Sequence, residues 1–373
     1  IYGRGLGTTT DAEGLYTITT GRGTFKLEFK YIGYKSHTET VTPGEGKTLE
    51  LNVSLEPEAQ LLDQIVVSAD RMEQKRSELT VSMDVIKPEY FFRTHITDAQ
   101  ELITKTSGIE VLDGQASVRG GSGFSYGVGS RVLALVDGLP MMSADAGNIK
   151  WQFLPLENLS QVEIIKGASS VLYGSSALNG VINFRTADAS NVPLTTFYTE
   201  GGIFGAPRNR DWKWWDTPRI FGSASFSHLR KFGNTDLGIG INIASDNGYR
   251  KYNDETMGRV SLRLKHHSDR VEGLKYGVNL SGGKTYKADF ILWEDGEYGA
   301  LKQDVSTVSR LHGYFVAADP FISLSRNGRM KHDIRMRLQS SANRFPVRIE
   351  NNSASFSVYG EYQFWYRLSD HFN

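Results

Sequence analysis

In the second half of the chain, apolar and polar residues alternate with a period of two. Leu237, Ile239, Ile241 and Ile243 enclose Gly238, Gly240 and Asn242. Val260, Leu262 and Leu264 stand against Arg259, Ser261, Arg263 and Lys265, and Leu274, Tyr276, Val278 and Leu280 against Lys275, Gly277, Asn279 and Ser281. Ile334, Met336 and Leu338 alternate with Arg335, Arg337 and Gln339. The last run sets Phe356, Val358, Gly360, Tyr362, Phe364, Tyr366 and Leu368 against Ser355, Ser357, Tyr359, Glu361, Gln363, Trp365 and Arg367. Successive strand side chains point to opposite faces, so each run predicts a strand with one oily and one polar face. Short connections (Lys231–Asn234, and Arg326–Arg329 with its Asn327-Gly328 turn) alternate with long ones (Phe204–Arg219, Ser245–Thr256, Lys287–Ser306). Strands of about ten residues joined this way predict an antiparallel transmembrane β-barrel over residues 191–373, with about eight strands in hand.

The first half reads differently. Residues 1–56 hold short apolar runs, Leu15–Ile18, Phe25–Phe29 and Leu49–Leu55, separated by Asp11–Gly14, Gly21–Gly23 and Pro43–Gly46. This pattern predicts a small β-sandwich. Residues 57–76 form a charged linker around one apolar island, Leu61–Ser68. A β-branched run in such a segment suits pairing with the edge of a partner's sheet. Residues 77–190 predict an α+β domain, with a short helix over Ile96–Ile103. Within Val162–Arg185, a strand ends at Lys166-Gly167, a compact turn of small residues follows, and a return strand starts at Gly180.

Composition narrows the chemistry. Lys+Arg and Asp+Glu are both 42, so charge gives no argument for nucleic acid. The chain has no cysteine, which excludes disulfides and thiolate metal sites. No run of about 18 apolar residues is present, so no helix of it is expected to span a membrane, which leaves a barrel untouched. Catalytic patterns fail one by one. Gly127 is misplaced for a dinucleotide motif begun at Gly121 and Gly123, and the serine pairs Ser169-Ser170 and Ser175-Ser176 lack a nucleophile elbow. His266 and His267 are neighbours on one strand and face opposite ways, so they cannot share a metal. The expectation is a protein that is not an enzyme, with no metal or cofactor.

Val162–Arg185, V-E-I-I-K-G-A-S-S-V-L-Y-G-S-S-A-L-N-G-V-I-N-F-R, closely resembles the end of the plug domain of TonB-dependent outer-membrane receptors. Ala116–Gly121 and Arg131–Pro140 resemble two further plug elements, in family order. Within them Arg119, Gly120, Asp137, Gly138, Glu163, Lys166, Gly167, Tyr173, Gly174, Gly180 and Asn183 correspond to the plug's structural motifs. Residues 1–56 resemble the carboxypeptidase-regulatory-like module found ahead of the plug in Bacteroidetes receptors; its usual opening strand is missing, so the module reads as truncated. Leu61–Ser68 resembles the TonB box, and Asp63, Gln64, Ile65, Val66 and Val67 are the implied TonB-pairing residues.

The resemblance implies TonB-dependent import of a scarce nutrient (siderophore, cobalamin, haem or similar) across the outer membrane, with TonB, ExbB and ExbD as partners. The plug and N-terminal module would face the periplasm. The alternatives are a glycan or peptide importer that works with a surface lipoprotein, and a non-transporting scaffold. Ligand contacts are expected from apical plug loops, at Phe124, Tyr126, Met142, Asp145 and Trp151, and from the long loop carrying Trp212, Trp214 and Trp215. Arg119 and Lys166 are expected among the polar contacts between plug and barrel. Eight strands enclose too little space for a plug, whereas plugged barrels have about 22 strands, so the chain reads as the first part of a receptor.

Overall fold

The computed structural model describes residues 7–11, 14–21, 23–30, 37–44, 46, 48–55, 65–66, 74–75, 82–87, 99–112, 114–121, 124–125, 129–167, 170–289 and 292–368. The chain divides into two units, one of Ile1–Val66 and Glu73–Leu79, the other of Val67–Met72 and Thr80–Asn373.

In the first unit Phe25–Phe29 (β1) pairs antiparallel with His37–Val41 (β2). The Tyr16 ring meets Phe29 edge-on at 5.6 Å, and its hydroxyl donates to the Leu51 carbonyl at 2.9 Å. Residues 15–18 and 49–55, expected as strands, lie outside any ladder. Leu15 and Leu49 are exposed, while Tyr16, Ile18, Leu51, Val53 and Leu55 are half-buried, so the runs keep one inward face without ladder pairing. Ile65–Val66 (β3) pairs with Gln74–Lys75 (β4), so these two residues of the expected TonB box are held in a short hairpin. Asp63, Gln64 and Val67 lie outside the described residues.

The second unit begins with an α+β domain: Met83–Ile86 (β5), Ala99–Thr104 (α1), Ile109–Leu112 (β6), Gln115–Val118 (β7), Phe124–Ser125 (β8), Gly129–Ser130 (β9), Val132–Val136 (β10), Leu139–Pro140 (β11), Leu159–Lys166 (β12), Ser170–Tyr173 (α2) and Gly180–Thr186 (β13). Its central sheet has the order β11-β10-β13-β12-β5. The Val132–Val136 run is buried at every position, as a strand covered on both faces requires. Val132, Ala134, Ile164, Ile182 and Phe184 form its core together with Leu102 and Ile103 of α1. At Gly180 a Cβ would stand 2.6 Å from the Ile165 carbonyl, which explains a glycine where the return strand starts.

Eight strands then form one meander: Leu194–Phe204 (β14), Arg219–Phe232 (β15), Thr235–Asp246 (β16), Glu255–His267 (β17), Leu274–Asp289 (β18), Ser309–Arg326 (β19), Met330–Arg344 (β20) and Ser353–Tyr366 (β21). Every neighbouring pair is antiparallel, and β14 and β21 are the two edges of the sheet. Connections are short after β15, β17 and β19 and long after β14, β16, β18 and β20, as expected. One face presents Phe197, Val260, Val316, Phe356 and Val358, all exposed, and the other packs on the α+β domain. Apolar side chains left facing outward are what a wall solvated by lipid requires.

Candidate functional site: the seat of the plug on the wall

The α+β domain meets the inner face of the sheet through side chains spaced two residues apart on β20 and β17. The first meeting point is the turn between β10 and β11. Asp137 has φ +50° and Gly138 φ +83°, the left-handed region. The turn is pinned from within the domain. Asp137 Oδ1 and Oδ2 accept from the Thr186 amide (2.9 Å) and hydroxyl (2.7 Å), and Asn183 Oδ1 accepts from the Gly138 amide at 3.0 Å. The turn therefore offers its carbonyls to the wall. Arg335 Nη1 donates to Asp137 O (3.1 Å), Arg337 Nη1 to Leu139 O (3.0 Å) and Pro140 O (2.8 Å), and Gln339 Nε2 to Met142 O (2.7 Å). Arg337 is aimed by a bidentate pair with Asp319 of β19, at 2.8 and 2.6 Å. A Cβ at Gly138 would lie 2.8 Å from Arg335 Nη1, so glycine also makes room for the contact.

The second set stands on β17. Arg259 Nε donates to Glu157 Oε1 at 2.7 Å with both side chains buried, and Arg259 Nη1 donates to Gln152 O at 3.1 Å. Asn158 Nδ2 donates to the Ser261 hydroxyl at 3.3 Å above Gly240, where a Cβ would stand 2.4 Å from Asn158 Nδ2. Arg263 and Lys265 take Asp188 at 3.0 and 2.6 Å, and Lys265 also reaches Asp236 at 3.3 Å. Burial acts to raise the Asp188 carboxyl, but Arg263, Lys265 and Arg185 outweigh it and hold it below its ordinary value. Between the two sets Phe153 stacks on Phe315 at 5.1 Å, over Gly283. A cavity of about 40 Å³ beside them is lined by Asn158, Asn279, Asp319 and Arg337. The buried amide oxygens of Asn158 and Asn279 have no protein partner among the described residues, and a space of this size accommodates water.

A closed, charged seat for a domain on the inside of an outward-apolar wall is the architecture of a plugged barrel. Residues 75–181 match the family described as TonB-dependent Receptor Plug Domain, and residues 1–67 match the CarboxypepD_reg-like domain. Residues 75–181 are thus a plug of the TonB-dependent-receptor kind. It is 29% identical over 252 residues to the hemin receptor of Yersinia enterocolitica, covering 67% of this chain and 36% of that one. It is 30% identical over 245 residues to the vitamin B12 transporter BtuB of Vibrio vulnificus, covering 60% and 39%. The chain thus spans less than half the length of these relatives, which are a receptor and a transporter rather than enzymes. The unliganded ferric citrate transporter FecA shares the fold with a TM-score of 0.59 at 16% identity, covering 72% of this chain and 41% of that one. The ferripyoverdine receptor of Pseudomonas aeruginosa gives 0.56 at 14% identity, covering 81% and 41%.

Of the plug motif residues, Asp137 and Gly138 meet the wall, and the others described have their contacts inside the plug. Lys166 pairs with Asp84 and donates to Ser107 O at 2.6 Å, and Arg119 Nη2 donates to the Ser82 hydroxyl at 2.6 Å. Arg119 and Lys166 thus find these partners within the plug, at the β5 side of its sheet, and neither bonds to the eight strands of the wall among the described residues. Glu163 is fully buried and accepts from Gln161 (2.6 Å), Arg185 (3.3 Å) and Asn183 (3.5 Å). Gly120, Gly167 and Gly174 have φ of +71°, +150° and +83° in open space, so they serve the backbone turn rather than close packing. Tyr173 closes α2 and is half-buried.

The candidate ligand residues divide. Trp151 is 2% exposed and donates to Gly114 O at 2.7 Å, so it belongs to the plug core and is corrected as a ligand contact. Trp215 is likewise buried. The indoles of Trp212 and Trp214 donate to Glu297 O (2.8 Å) and Tyr249 O (2.9 Å), which ties the first long loop to the third and second. Arg219 stacks 4.9 Å over Trp214. Met142 bridges to Ile149 and packs against the core, while Asp145 is exposed at the tip between them. Asp145 is held below its ordinary value: burial acts to raise it, but hydrogen bonds from Ser143, Ser353 and the Ala146 amide prevail. Ser353 opens β21 at the long-loop end, which places the Asp145 tip on that side. Phe124 lies in β8, paired to β9, and Tyr126 lies outside the described residues. Arg259, Arg263, Arg335 and Arg337 were not expected as plug contacts. Their signal was in the sequence: cations repeating at period two on the polar face of two strands.

Proposed function

We propose that this receptor imports a scarce nutrient of the haem, cobalamin or ferric-chelate class across the bacterial outer membrane, driven by TonB with ExbB and ExbD. The seat carries the reading. Much of the plug's hold on the wall is hydrogen bonds and ion pairs, which water can replace one for one, with an apolar contact through Phe153, Phe315 and Ala317 between them. Residues 63–67 are the segment offered to TonB, with the plug and N-terminal module facing the periplasm and the long loops outside. The relatives include a hemin receptor and a vitamin B12 transporter, which supports the class. Asp145 at the plug tip, with the loops tied by Trp212 and Trp214, forms the ligand side.

The test is capture of the full-length receptor by the periplasmic domain of its cognate TonB, with and without Val66→Pro. Proline removes a backbone donor from the pairing strand and leaves the plug untouched. Capture lost in the variant, together with lost uptake, supports energised import. Capture indifferent to the substitution overturns the assignment of residues 63–67.

A further inference from the structure

The outward face of the wall carries an asymmetry of charge that the import reading does not use. Strand register assigns each residue of β14–β21 to the plug side or the outer side. Among the described residues that point outward, none is Asp or Glu. The outward cations at the long-loop end are Lys284 of β18, Arg310 of β19 and Arg344 of β20, on three consecutive strands. None of the three forms an ion pair among the described residues. Lys284 Nζ lies 5.4 Å over the Tyr314 ring, its partner across the ladder, and the Arg310 guanidinium lies 6.0 Å over Tyr286 and bonds its hydroxyl. His312 meets Tyr286 edge-on at 4.8 Å and pairs in register with Arg344. Aromatic rings thus steady Lys284 and Arg310, and the register sets Arg344 beside His312 in the same patch.

Position makes the patch informative. Lys284 is ten residues beyond Leu274, and a tilted strand needs about 9–11 residues to cross the hydrocarbon, so the patch sits at headgroup level. Below and beside it is an open groove of about 600 Å³ on the outer surface of β15–β18. Its outward lining is small or apolar, with Gly222, Ala224, Ile243, Thr256 and Gly258, and it ends at Lys284 and Tyr286. At Gly258 the nearest atom to an added Cβ is 3.8 Å away, so the strand there is bare rather than crowded.

We propose that the groove and patch bind a membrane lipid whose headgroup carries net-anionic phosphate, with an acyl chain lying along Gly222–Gly258 and the phosphate between Lys284, Arg310 and Arg344. Arginine and lysine without carboxylate partners, at headgroup height and next to a slot shaped for a chain, fit that chemistry and no neutral headgroup equally well. The lipid belongs to the leaflet on the long-loop side.

The experiment is native mass spectrometry of the full-length receptor extracted from nanodiscs of phosphatidylcholine with added phosphatidylglycerol or diphosphoryl lipid A. Three proteins are compared: the parent, Lys284→Gln/Arg310→Gln, and Gly258→Leu, which fills the slot without changing charge. The parent is expected to retain the anionic lipids over phosphatidylcholine. The charge variant should lose that preference by on the order of tenfold, and Gly258→Leu should lower retention of every lipid. Heat-modifiable gel mobility confirms that each barrel is folded, and if Gly258→Leu fails that check the charge variant decides alone. Equal retention by the parent and a folded charge variant overturns the proposal. Displacement of bound lipid by inorganic phosphate alone also overturns it, since the site would then read free phosphate rather than a lipid.

Discussion

The interior of the plug and its seat on the wall are assembled from different forces. Inside, Val132, Ala134, Ile164, Ile182 and Phe184 exclude water almost completely, and the buried polar side chains Glu163 and Asn183 are satisfied by their neighbours. At the seat, Glu157, Arg259, Asp319 and Arg337 are buried as ion pairs, and amide oxygens of Asn158 and Asn279 lie unpartnered by protein beside a small cavity. Apolar burial contributes about 25 cal/mol per Å² and has no substitute in water. A hydrogen bond nets only about 1 kcal/mol, because water offers the same bond. The plug is thus built to cohere more strongly than it adheres.

Four substitutions probe that contrast, in falling order of expected effect. Phe184→Ala, at the centre of the dry core, should destabilise the plug by about 3–5 kcal/mol. Denaturant titration followed by amide exchange in β12 and β13 measures this, and exchange in β16–β19 should stay unchanged. Glu157→Ala strands the buried Arg259 and should cost about 3 kcal/mol, whereas Glu157→Met with Arg259→Leu should recover most of it. A double-mutant cycle read by plug release under denaturant distinguishes an ionic seat from a merely packed one. Trp214→Phe removes the donor to Tyr249 O and should cost about 1 kcal/mol, seen as faster proteolysis of the long loops with the plug unaffected.

Asp188→Asn should have the smallest effect, under about 1 kcal/mol, since that carboxylate is 65% exposed and solvent screens it. Its pH dependence has a definite sign. The folded carboxyl titrates below its unfolded value, so its contribution is complete above about pH 4 and fades as pH falls through the lower folded value. Seat stability in the parent should therefore decline in acid more than in Asp188→Asn; parallel acid curves would show that Asp188 holds nothing.

The strands and their register were legible because alternation is a local signal. Leu237–Ile243 and Phe356–Tyr366 state which residues face out without reference to any partner. The same pattern placed Arg335 and Arg337 on the polar face, but a periodic cation does not say whether it meets water or a carbonyl. Glu157 was illegible for a different reason: it lies in a single 3-10 turn, Leu156–Asn158, which has no periodicity to read. Trp151 misled because aromatic residues in a glycine-rich loop look the same in sequence whether they fold inward or outward. In the first unit, short apolar runs at Leu15–Ile18 and Leu49–Leu55 suggested strands, and they keep a half-buried face at Tyr16, Ile18, Leu51 and Val53 without joining a ladder. Lys166 and Arg119 were placed by analogy, and the register of β12 with β5 puts their partners within the plug.

Apart from the contact of Arg337 with the Met141 sulfur, the wall's polar hold on residues 137–142 goes through carbonyl oxygens, and a carbonyl is the same atom in every amino acid. Arg335 and Gln339 therefore read the path of the chain and are blind to its spelling. Of the side chains here, Leu139 and Met141 are buried in the plug, and of the rest the wall asks only that Asp137 and Gly138 keep their left-handed bend. A plug borrowed from a distant relative would be accepted by this barrel if it traced the same curve, and refused for a single misplaced bend even with every other letter conserved.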